Sequence, residues 1–86
     1  MHDFALAGEI AEIALRTASE NGGGRVSRVH VTLGRGSHID PGILADAFTM
    51  SVSGTAAEGA VLDITRPVAA HGELAVVAVD VEEARD

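Results

Sequence analysis

Met1-His2-Asp3 opens the chain with residue types that can hold a metal ion without a folded pocket. A free α-amine, deprotonated backbone amides and one imidazole together approximate the tetragonal nitrogen field that Ni(II) and Cu(II) prefer. A histidine beside an amino terminus is commonly only a solvated residue, so the weight of the motif depends on the elements around it. The other histidines are weaker candidates. His38 stands in a loop two residues before Asp40, where it could approach the terminus as a fifth ligand but reads first as exposed. His30 reads as a solvated sheet residue, and His71 as a turn residue with no companions to complete four-coordination. Cysteine is absent, which removes both a disulfide and a thiolate zinc site.

Eighty-six residues are enough for one domain, 1–86, with one core. Hydrophobic residues make up 47% but aromatics only 2%, so burial must come in small aliphatic increments from Ala, Val, Leu and Ile. Thirteen acidic residues against six basic ones give a net charge of −7, which disfavours nucleic acid and anionic lipid as partners. There is neither a signal-peptide pattern nor a run of the roughly 18 apolar residues that would span a bilayer. The expectation is a cytoplasmic protein. No Ser-His-Asp set or carboxylate pair suggests an active site, and Gly22-Gly23-Gly24 follows a helix pattern, whereas phosphate-binding loops precede one. A binding protein is therefore expected in preference to an enzyme.

From Phe4 to about Asn21, Leu6, Ile10, Ile13 and Ala14 recur at helical spacing, with Asp3 placed as an N-cap and the three glycines as the stop. Arg25–Leu33 alternates, with Val29, Val31 and Leu33 on one face and Arg28, His30 and Thr32 on the other. Asp40-Pro41 starts a second helix that runs to about Val52, with Leu44, Ala47, Phe48 and Met50 or Ser51 inward. Residues 60–66 form a short strand with Leu62 and Ile64 inward, ended by Pro67. Leu74–Val81 is apolar on both faces under strict alternation, as a central strand or one covered by a partner would be. The fold class expected is α/β (α+β): two helices on one face of a three-stranded mixed sheet, order α-β-α-β-β. In it the first two strands are parallel and the third strand is central. The outer face, with Arg28, His30, Thr32, Asp63 and several valines, leaves room for a homodimer.

Several segments in register resemble the HypA/HybF hydrogenase nickel-incorporation proteins. They are residues 1–7 (MHDFALA), Gly34 to Pro41 ending in Ile39-Asp40-Pro41, the 44–48 run (LADAF), residues 54–64 (GTAAEGAVLDI), and the ending from Gly72-Glu73-Leu74 to Asp80-Val81-Glu82. The resemblance implies a metallochaperone that delivers nickel for hydrogenase maturation, with a partner GTPase and the hydrogenase large-subunit precursor as partners. It implies helices on a three-stranded sheet and a nickel site at Met1, His2 and Asp3, where Asp3 replaces the family's Glu. It also implies Cys-x-x-Cys pairs around zinc between the last two strands, whereas this chain has only Pro67-Val68-Ala69-Ala70-His71 there. The expected cofactor is thus Ni(II) without zinc, and Ala69, His71 and Gly72 are expected to close a turn in place of the zinc domain, missing between about Pro67 and Glu73. Arg35, Gly36 and Gly42 are smaller departures near the nickel motif. Asp40 is first a helix cap. The alternative is that, without the zinc domain, the protein is an interaction or assembly module that carries no metal.

Overall fold

The computed structural model describes residues 2–68 and 72–82, with His2 described in its backbone alone. Its elements follow the order α1 (His2–Glu20), β1 (Arg25–Leu33), α2 (Pro41–Ser51), β2 (Val61–Thr65) and β3 (Leu74–Glu82). Both helices cover one face of a single mixed sheet.

Helix α1 buries Ala7, Ile10, Ala11, Ala14 and Ala18, a stripe at three- and four-residue spacing. Four of the five are alanines, so the helix axis can come close to α2 and the sheet. The larger residues are displaced to the rim: Ile13 is 39% exposed, against the sequence expectation that it faces inward. The start differs too. Asp3 lies within the first turn and does not cap it. An acidic side chain is stabilised at either position by the positive end of the helix dipole, so residue type alone does not separate the two. The end is as expected: Gly22 and Gly23 take φ of 100° and 77°, and the Gly23 amide returns to the Ala18 carbonyl at 2.8 Å.

Helix α2 begins as the sequence requires, with the Asp40 carboxylate accepting the Ile43 amide at 3.1 Å and Pro41 in the first turn. Leu44, Ala47, Phe48 and Val52 point inward, and Phe48, fully buried, is the largest side chain of the core. Met50 is 66% exposed and is not a core residue. It lies two positions beyond Phe48, which is about 200° around the helix.

The strand order is β2-β1-β3, so β1 is central and β3 is an edge. This corrects the expected order, although the strand directions are as expected: β1 and β2 are parallel, β1 and β3 antiparallel. The misplacement follows from reading β3 as strictly alternating. The register steps from His30↔Ala78 to Val31↔Val76, leaving Val77 as an extra residue in β3. A bulge of this kind shifts the side-chain alternation by one position. Leu74, Val76, Val79 and Val81 therefore all pack toward the core, while Ala75, Val77 and Ala78 face outward with Asp80. Most of the larger aliphatic residues of β3 thus share its inward face, so the strand needs no central position to bury them, while its outward face carries Ala75, Val77 and Ala78 beside Asp80. A second irregularity in β1, at Ser27, brings Val26 inward together with Val29, Val31 and Leu33.

Candidate metal centre

Of the three residues expected to hold nickel, the structure places the side chain of Asp3 alone; Met1 and the His2 imidazole lie outside the described residues. Because α1 begins at His2, the amides of His2 and Asp3 belong to its first turn. The first four amides of a helix have no acceptor within it, so a metal that takes these two nitrogens removes no helical hydrogen bond.

The half-buried Asp3 lines an open cavity of about 580 Å³ between the start of α1, the loop Arg35–Ile39 and the Gly72-Glu73 approach to β3. His38 lies on the same wall. It is exposed and, among the described residues, makes no hydrogen bond or ion pair. Its loop, by contrast, is held on both sides. Arg66, just past β2, donates to the carbonyls of Ser37 (3.4 Å) and Ile39 (3.1 Å). The Ser37 hydroxyl accepts the Ile39 amide at 3.3 Å, the Ile39 side chain is buried, and Asp40 is committed to capping α2. Nothing in the sequence marked Arg66 as the clamp of this loop, because a basic residue at a strand end is usually only solvated.

Among the described residues no three His, Asp or Glu side chains come together to hold a metal ion.

His30 is more engaged than its sequence suggested. On the sheet face away from the helices its Nε2 lies 3.0 Å from an Asp80 carboxylate oxygen and its Nδ1 3.5 Å from Asp63, which also meets Arg28 at 3.4 Å. The ring tautomer decides which nitrogen donates. The two carboxylates sit at opposite nitrogens, so the group ties β2, β1 and β3 together and does not converge on a common point. Of the expected turn, Ala69 and His71 lie outside the described residues, and Gly72 takes a φ of 79°. No helix among the described residues is long and apolar enough to cross a membrane.

Residues 1–73 match the family described as "HypA: Hydrogenase/urease nickel incorporation, metallochaperone, hypA". Among curated proteins, the hydrogenase maturation factor HypA of Chlorobium limicola is 39% identical over 79 residues, covering 92% of this chain and 62% of that protein. The corresponding factor of Rhizobium leguminosarum bv. viciae is 36% identical over 66 residues, covering 77% and 58%. The chain thus spans less than two thirds of the length of these relatives. The solution structure of the Ni metallochaperone HypA from Helicobacter pylori superposes with a TM-score of 0.80 over 95% of this chain and 98% of that one, at 14% identity. At that identity the likeness establishes the fold.

Proposed function

Because the chain belongs to the HypA family of hydrogenase/urease nickel-incorporation metallochaperones, we propose that it binds Ni(II) at its amino terminus and hands the ion on for hydrogenase maturation. The donors are the Met1 amine, the His2 imidazole and the backbone amides of His2 and Asp3. The observation that carries this reading is the start of α1 at His2, which leaves those two amides without a role in the helix. The reading requires a free α-amine at Met1.

Nickel is the cargo. A site at the end of a helix, beside an open cavity, lets a recipient's ligands replace the chain's own one at a time without opening the core. The proposed partners are a maturation GTPase and the hydrogenase large-subunit precursor. With no cysteine in the sequence, the family's thiolate-held zinc has no ligands here, and residues 1–86 act as one nickel-binding domain. The alternative is a docking module without metal delivery, for which the outward face of β3 offers Ala75, Ala78 and the 60% exposed Val77.

Protons compete with nickel for every one of these nitrogens, so affinity falls with pH, first below about 8, where a free α-amine becomes protonated, and further through roughly pH 6 to 7, where a free imidazole does. Nickel titration of the untagged protein and of His2→Ala tests the site. The variant is expected to bind at least about tenfold more weakly, and equal binding would overturn the proposal.

A further inference from the structure

The sheet ends at β3, and the core is unfinished along that edge. The inward residues of the central strand, Val29, Val31 and Leu33, are fully buried, whereas Leu74, Val76, Val79 and Val81 of β3 pack on the core and remain half-buried. Beside them runs a groove of about 370 Å³, with Leu6, Ile10 and Ile13 of α1 on one wall and Leu74 and Val76 on the other. Among the described residues no strand lies on the far side of β3, so the backbone amides and carbonyls directed to that side form an open ladder. The charge along this edge has one sign. Glu9 and Glu73 are the charged residues that line the groove, β3 adds Asp80 and Glu82, and no basic residue stands between Glu73 and Glu82. Arg16 of α1 is paired with Glu12 at 3.1 Å.

We propose that the free edge of β3 and the groove beside α1 take an extended basic segment of a partner protein, added alongside β3 as a further strand. Alternation within such a strand sends every second side chain into the groove, where Leu6, Ile13 and Leu74 require apolar groups. The side chains between them lie on the outward face, beside Asp80 and Glu82, where lysine or arginine is favoured. A second copy of this chain fits less well. Pairing two β3 strands antiparallel sets Glu73 of one near Asp80 and Glu82 of the other, acid against acid. The bulge at Val77 also twists the edge, which a flexible segment can follow and a second rigid edge cannot match. The site consists of α1 and β3 and does not depend on nickel at the terminus.

NMR titration of the untagged protein with a short peptide that alternates lysine and valine tests the inference, with a peptide that alternates glutamate and valine as the control. Saturable shifts are expected on the amides of Leu74–Glu82 and of α1 from Leu6 to Ile13, with an affinity that falls as salt rises. Ile13→Lys, at a position already 39% exposed, sets a charge in the groove and is expected to weaken binding at least about tenfold. Glu9→Lys, at an exposed position of α1 that leaves the core untouched, is expected to weaken it about two- to fivefold. His2→Ala is expected to bind the peptide as the parent does, so the failure of this site and the failure of the nickel site are separate results. Absence of saturable shifts, shifts confined to the outward sheet face, equal binding of the two peptides, or pairing of the chain with itself through β3 would overturn the inference.

Discussion

At the scale of the residue, the carboxylates show how one side-chain type takes different places. Asp40 is a helix cap by sequence and by structure, since Pro directly after it fixes the helix start. Asp40→Ala is expected to lose about 1 kcal/mol, a fall of about 4–8 °C in the melting temperature of a domain this size, read by thermal denaturation. Asp3 has no such marker beside it, and the sequence could not distinguish a cap from a first-turn residue. His38 and Arg66 were equally hard to read. One depends on which loop faces the terminus, and the other on a bond between residues 27 and 29 positions apart in sequence. Met50 was misread for a simpler reason: continuing the inward face from Phe48 leads three or four positions on, to Ser51 or Val52, and Val52 is the buried one.

At the scale of the element, periodicity identified both helices and all three strands, but it could not reveal bulges. Four aliphatic residues at 74, 76, 79 and 81 share a face only because Val77 interrupts the alternation. Strict period-two reading distributes them over two faces and suggests a central strand. Glycines separate the packing requirements more cleanly. A Cβ on Gly8, on the exposed side of α1, meets nothing within 4 Å, so Gly8→Ala is expected to stabilise by about 0.5–1 kcal/mol through helix propensity. A Cβ on Gly34 would overlap the Gly72 carbonyl oxygen where β1 hands over to the start of β3, next to the 3.1 Å bond from the Gly34 amide to Glu73. Gly34→Ala is therefore expected to destabilise by about 2 kcal/mol or more. Urea denaturation of the two variants against the parent checks both, and the account requires opposite signs.

At the scale of the whole molecule, a small aliphatic core supports a terminus whose chemistry is mostly backbone chemistry. The core gathers Phe48 with Ile, Leu and Val from three strands and two helices, closed by the alanine stripe of α1. This packing fixes where α1 begins, and with it the amides of His2 and Asp3 and the cavity they adjoin. The element order, the layers and the strand directions were legible because they depend on local periodicity and on the short range of crossovers open to a mixed sheet, whereas the order β2-β1-β3 was not. The surroundings of the site were not, because they depend on contacts between the loop at 34–40, the end of β2 and the approach to β3. The central claim is that nickel is held by the amino terminus itself, and such a chelate requires the free α-amine. The decisive measurement is calorimetric titration of Ni(II) into the untagged protein and into the same chain acetylated at its α-amine. One equivalent should bind to the parent with release of protons from the amine and amides, and the acetylated chain should lose that binding; equal affinity and equal proton release in the two would contradict the account.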